Sequence, residues 1–214
     1  MSEKFRNKYR IPSSRWQQWD YRSEGIYFIT ICTKNRIHYF GEIENGKMIL
    51  NELGEKVQEE WIKSIKIRPD MNLELGEFIV MPNHFHAVII IGENKYNTNI
   101  GMENGDGYGD GYGDGYGDGR DAMHRVSTEN RPIFTSNQQK NQFGSQSKNL
   151  ASIIRGFKSA VTTYSKKHGI SGFQWQKRYH DHVIRNSFSF ERIQNYIINN
   201  PRNWKEDTFN ILTN

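Results

Sequence analysis

Cysteine is almost missing from this chain. Cys32 stands alone among 214 residues, so no disulfide can close within it and no cysteine-based zinc site can be built. Long apolar runs are missing too. The longest, around residues 78–91, is broken by Pro82, Asn83, His84 and His86, and is too short and too polar to cross a bilayer. Residues 1–21 are polar and basic and show no apolar stretch of the signal-peptide kind. There is no Walker-type phosphate loop, which leaves no place for a helicase motor. These absences lead to the expectation of a cytoplasmic protein with no membrane partner.

Charge is present and uneven. The net formal charge is +5, and between Lys140 and Arg185 nine Lys and Arg face a single acid, Asp181. A basic C-terminal half suits an acidic partner such as nucleic acid, although a solvated helix face has the same composition.

The apolar pattern divides the chain into elements. Residues 26–33 (IYFITICT) are β-branched and aromatic, as in a buried strand. Asn45-Gly46 marks a hairpin turn between HYFGEI and KMIL. Residues 51–67 carry Leu53, Val57, Trp61, Ile62 and Ile65 at helical spacing. Strands are predicted over 73–80 and 84–91, joined at Met81-Pro82-Asn83. From Leu150 a helical stripe of Ile153, Ile154, Phe157, Val161 and Tyr164 runs opposite Arg155, Lys158, Thr162 and Lys166, and Gly169 closes it. A strand over 175–185 and a helix over 188–200 complete the order, with Ser187 or Ser189 as helix cap, Glu191 in the first turn and Pro201 as the stop. Strand, helix, strand, strand, helix, strand, helix is an α+β ferredoxin-like split βαβ sandwich on an antiparallel sheet, with an extra C-terminal helix.

Residues 96–147 differ in kind. GDGYGDGYGDGYGDG and the Asn/Gln/Ser-rich run after it offer nothing to bury and maximal backbone entropy, so a disordered insert is expected. The aspartates invite a calcium reading, but the repeat matches neither the EF-hand loop nor the nine-residue glycine-rich calcium repeat. The expected organisation is a basic extension over 1–25, a first part of the domain over 26–95, the insert over 96–147 and a second part over 148–214.

Three features could carry chemistry. In His84-Phe85-His86 the imidazoles share one strand face while Phe85 enters the core, which suits a divalent ion; two ordinary exposed histidines fit the same pattern. His180-Asp181-His182 has equal spacing and competes as metal site or substrate contact. Among the tyrosines, Tyr108, Tyr112 and Tyr116 lie in the repeat, where no geometry is held, and Tyr164 falls on a core stripe. Tyr196 lies off the apolar stripe of its helix, with Asn200 one turn on; it is a candidate nucleophile or a boundary aromatic. Lys177 and Arg178 extend the basic stripe of Arg155, Lys158 and Lys166, and Trp175 and Tyr179 are available to stack on bases.

Taken together, MPNHFHAVI, the basic helix with GFKSAV, WQKRYHDHVIRN, the helix with NYIINNP and the N-terminal RIPSSRWQQWDYRSEGIYFITICTKNR resemble the IS200/IS605-like single-tyrosine transposases. The likeness is closest to the REP-associated branch and covers nearly all of the chain outside the insert. The resemblance implies a metal-dependent enzyme, often a homodimer, that nicks single-stranded DNA beside a hairpin. It implies Mg²⁺ or Mn²⁺ on His84 and His86, Tyr196 as nucleophile and Asn200 as third ligand, where some relatives carry Gln. The product it implies is a 5′-phosphotyrosine that keeps the bond energy for rejoining. A replication initiator or relaxase of the same class, a non-catalytic single-strand binder, and a small metal-binding protein unrelated to DNA are the other functions weighed.

Overall fold

The computed structural model describes residues 4–5, 8–9, 19–98 and 147–210. The Gly-Asp-Gly-Tyr repeat, and with it most of the insert expected over 96–147, lies outside the described residues, as does most of the expected extension over 1–25.

A small ribbon pairs β1 (Lys4–Phe5) with β2 (Lys8–Tyr9). Strand β3 (Gly25–Cys32) opens the main sheet and is buried along its whole length. Hairpin β4 (Gly41–Glu44) and β5 (Lys47–Leu50) turns at Asn45-Gly46, both with positive φ, as a two-residue hairpin of this kind requires. Helix α1 (Glu52–Ile67) follows, capped by the Asn51 side chain accepting from the Gly54 amide. Strands β6 (Leu73–Met81) and β7 (His84–Ile91) flank the tight Pro82-Asn83 turn. Helix α2 (Leu150–Lys167) starts on an Asn149/Ser152 capping box, and Gly169 beyond its end takes a φ of 68°. Strand β8 (His180–Ile184) and helix α3 (Ser187–Asn199) complete the fold.

The sheet order is β6-β7-β3-β8 with every neighbour antiparallel, the ferredoxin-like arrangement expected. Side chains alternate across it. Tyr27, Ile29, Ile31, Phe85, Ala87 and Ile89 join the larger core with Trp61 of α1 and Phe157 of α2. Ile26, Phe28 and Val88 face the other way, against Ile193 and Ile197 of α3. Helices α1 and α2 thus cover one face, and α3 half-covers the face that carries His84 and His86. A bulge in β6 at Gly76-Glu77 fixes the height of α3, because the Glu77 amide donates to Gln194 Oε1 at 2.8 Å.

Three local expectations are corrected. The strand predicted over 175–185 is only His180–Ile184, with a single bridge from Trp175 to Thr33 upstream. Phe173 and Trp175 turn into the core there, which bends the chain off the sheet edge. The cap of α3 is Asn186, whose side chain accepts from the Ser189 amide, rather than Ser187 or Ser189. With the helix starting earlier, Glu191 lies beyond its first turn.

Candidate functional site

The site is assembled on the α3 face of the sheet. His84 and His86 point to that face from β7, ring centroids 4.5 Å apart, and both are buried. Their partners come from distant segments. His86 Nδ1 lies 2.9 Å from Thr30 Oγ1, its cross-strand neighbour on β3, and His86 Nε2 lies 3.2 Å from Tyr196 Oη on α3. His84 Nδ1 lies 2.9 Å from Asn83 Oδ1. Phe28 stacks on His86 at 5.4 Å and meets the Tyr196 ring edge-on at 6.2 Å, which holds the phenol over the sheet.

Beyond α3 the chain folds back. Trp204–Glu206 forms a short turn of helix, and the Phe209 ring packs on His84 at 4.6 Å and His86 at 5.7 Å. The Arg36 guanidinium lies 4.0 Å above Phe209. A cleft of about 600 Å³ opens beside these groups, lined among others by Thr30, Arg36, His86, His180, Tyr196 and Asn200.

Burial sets the protonation of the histidines. It pushes His84 well below the ordinary imidazole value, helped by His86 and Arg36, while nearby Asn200 acts the other way. His86 is pushed down to about 3, chiefly by burial and then by His180 and Arg36. Both imidazoles are therefore neutral near neutral pH, the form in which a ring nitrogen can bind a cation. Burial raises Asp207, against the Phe209 amide, which donates to Asp207 Oδ1 at 2.8 Å.

The donor set fits a divalent cation on one local ground. His84 Nε2 and Asn200 Oδ1 are both buried and neither finds a hydrogen-bond partner. An unpartnered pair of buried lone-pair atoms is costly, and a cation between them relieves the cost. No cluster of three or more His, Cys, Asp or Glu among the described residues is placed to hold a metal, so a cation beside the two histidines would have to take the Asn200 amide oxygen as its third donor.

The structure brings His84, His86, Tyr196 and Asn200 together within one chain, so no helix exchange with a second protomer is needed to assemble them. The competing pair is nearby. His180 and His182 are exposed on β8, facing the same side, with Thr30 paired to His86 on one flank and to His180 on the other. Asp181 between them is buried on the opposite face. Of the residues expected against DNA, Arg155, Lys166, Lys177 and Arg178 are exposed and Tyr179 is half-buried at the cleft. Two are turned to other uses. Trp175 packs on Phe40, Phe157 and Phe173 and donates its indole N–H to the Lys158 carbonyl; Lys158 Nζ donates to the Gln176 carbonyl at 2.6 Å. Tyr164 is half-buried and donates its hydroxyl to Glu52 at 2.5 Å. Sequence reasoning missed Thr30, Arg36, Asn83, Asp207 and Phe209, and apart from its place in the turn before His84 no local signal marks Asn83.

The fold and site define an α+β ferredoxin-like domain in which a paired-histidine strand meets a tyrosine helix. No family model matches the chain. It is 34% identical over 196 residues to a protein of Haemophilus influenzae known as an uncharacterized protein, spanning 91% of this chain and 90% of that one, and the two belong to one family. Among solved structures, a REP-associated tyrosine transposase bound to a REP hairpin is similar over 92% of this chain and 73% of that one, at 17% identity and a TM-score of 0.48. No helix among the described residues is long and apolar enough to cross a membrane.

Proposed function

We propose that this protein is a metal-dependent single-stranded DNA nuclease and strand transferase of the single-tyrosine transposase type, acting beside hairpin-forming repeats. The observation that carries the reading is the convergence at His86: Tyr196 Oη at 3.2 Å from Nε2, beside the unpartnered His84 Nε2 and Asn200 Oδ1. The motif resemblance supplies the substrate class, and the exposed cations Arg155, Lys166, Lys177 and Arg178 suit a phosphate backbone.

In this reading Tyr196 is the nucleophile. Its oxygen attacks the scissile phosphorus, the P–O3′ bond breaks, the phenolic proton leaves to solvent and the departing 3′ oxygen takes one from water. The 5′ phosphate stays on Tyr196 until another 3′ hydroxyl attacks it and restores the chain. A divalent cation, Mg²⁺ or Mn²⁺, held by His84, His86 and Asn200 would supply Lewis-acid polarisation of that phosphate. Arg36 brings a fixed positive charge to the cleft, which favours both the phosphate and the phenolate of Tyr196. Phe28 and the α3 anchor at Gln194 limit the positions the phenol can take.

The test is a labelled single-stranded hairpin incubated with protein and Mg²⁺ or Mn²⁺. Wild type gives a denaturation-resistant adduct that keeps label placed 3′ of the nick and loses label placed 5′ of it. Tyr196→Phe gives none, and Tyr164→Phe reacts as wild type. Adduct from Tyr196→Phe would overturn the reading.

A further inference from the structure

Asn83 occupies the two-residue turn between β6 and β7, fully buried, and three separate segments meet at its side chain. Its Nδ2 donates to the Arg36 carbonyl at 3.0 Å and to the Phe209 carbonyl at 2.8 Å. Its Oδ1 lies 2.9 Å from His84 Nδ1. The two carbonyls can only accept, so they determine which end of the amide is nitrogen. The remaining end is an oxygen, which can only accept as well. The hydrogen of that third bond must therefore sit on His84 Nδ1. A neutral imidazole carries one N–H, so His84 Nε2 is left with its lone pair.

We infer that Asn83 is a positioning residue that holds His84 as the Nδ1–H tautomer and so leaves its buried Nε2 with a free lone pair close to Asn200. The use made of that lone pair rests on the proposed nuclease reading; the tautomer itself does not. The residue type follows from the geometry. A serine or alanine cannot reach two carbonyls and an imidazole together, and a carboxylate cannot donate to both carbonyls. The backbone adds a second clamp, because the Asn83 carbonyl accepts from the Thr33 amide at 2.9 Å and from Thr33 Oγ1 at 3.0 Å. Side chain and main chain of one residue thus tie the strand that carries the histidines to the loop after β3 and to the returning C-terminal segment.

Two-bond ¹H–¹⁵N imidazole spectra of the metal-free protein at neutral pH test this directly, with Mn²⁺ affinity by calorimetry as a second readout. Wild type shows His84 with a protonated Nδ1 and a pyridine-type Nε2. Asn83→Ala shifts His84 toward the Nε2–H tautomer and weakens Mn²⁺ binding by roughly 10–100-fold, the usual effect of losing a partner behind a metal-binding histidine. Asn83→Asp still accepts from Nδ1, so it keeps the wild-type tautomer although its ties to Arg36 and Phe209 are loosened. A merely structural role would lower the melting temperature in both variants and leave the tautomer unchanged. A wild-type His84 found as Nε2–H, or a folded Asn83→Ala with the wild-type tautomer, overturns the inference. Should Asn83→Ala not fold, the wild-type and Asn83→Asp spectra decide alone. Nδ1–H in wild type without any Mn²⁺ binding upholds the positioning role and contradicts the nuclease reading instead.

Discussion

Tyr196 Oη lies 3.2 Å from His86 Nε2 across 110 residues of the same chain. The distance is set by two independent constraints. The register of β7 on β3 places His86 opposite Thr30, and the bulge of β6 seats α3 through Gln194, two residues before Tyr196. Neither constraint depends on a second protomer. Nicking activity is therefore expected to be first order in protein at high dilution. Mixing Tyr196→Phe with His84→Ala chains should not restore adduct. Recovery of activity in that mixture would mean that the tyrosine works across a dimer.

The proposed cation site is tested through its own donors. His84→Ala and Asn200→Ala each weaken Mn²⁺ binding by about tenfold or more, equivalent to at least ~1.4 kcal/mol. Excess metal partly restores adduct formation in His84→Ala, whereas Tyr196→Phe stays inert at any metal concentration. If His180→Ala and His182→Ala abolish Mn²⁺ binding while His84→Ala does not, the ion belongs to β8.

Stability should carry the signature of a buried neutral histidine pair. Above pH 6.5, the ordinary imidazole value, His86 is neutral in folded and unfolded chains alike; below it the unfolded chain takes up a proton that the folded chain refuses until about pH 3. The contribution is complete above pH 6.5 and is lost as pH falls toward 3, by up to about 1.4 kcal/mol per unit. Urea midpoints measured over this range fall steeply for the metal-free wild type and less steeply for His86→Gln. Equal slopes would place His86 in a far wetter environment.

Much of the fold was legible because its cues are local. The continuous apolar run of β3, the Asn45-Gly46 turn and the helical stripes of α1 and α2 each announce one element. Burial on both faces explains why β3 and the Ala87–Ile91 end of β7 read as near-continuous apolar runs rather than alternating ones. The start of β8 was not legible, since Trp175 has strand composition but is drawn into the core by Phe40, Phe157 and Phe173. Nor was the cap of α3, where Asn186, Ser187 and Ser189 all have capping side chains. In the site, spacing made His84 with His86 and Tyr196 with Asn200 candidates, and the motif resemblance supplied their expected roles. Asn83, Arg36 and Phe209 do not stand out by spacing, because their roles arise from contacts 47 and 126 residues apart in sequence.

The lysines of the basic stripe should separate by function. Lys166→Glu and Lys177→Glu, both exposed, lower hairpin affinity and reduce the slope of log K against log salt by about one for each phosphate that is no longer neutralised. Lys158→Ala acts mainly on stability, because its ammonium bonds the Gln176 carbonyl and its side chain is half-buried. A lowered melting temperature with an unchanged salt slope is the expected result for Lys158→Ala, and the reverse pattern would return it to the DNA face.

In the proposed reaction Tyr196 itself takes the 5′ phosphate, and one measurement locates that phosphate without mutation. Tryptic digestion of the wild-type adduct, followed by nuclease trimming and mass spectrometry, locates the attached nucleotide. Residues 193–202 (IQNYIINNPR) form one tryptic peptide in which Tyr196 is the only hydroxyl-bearing side chain. The account predicts the nucleotide mass on that peptide alone. Its presence on the peptide containing Tyr179 or Tyr164, with 193–202 unmodified, would contradict the account.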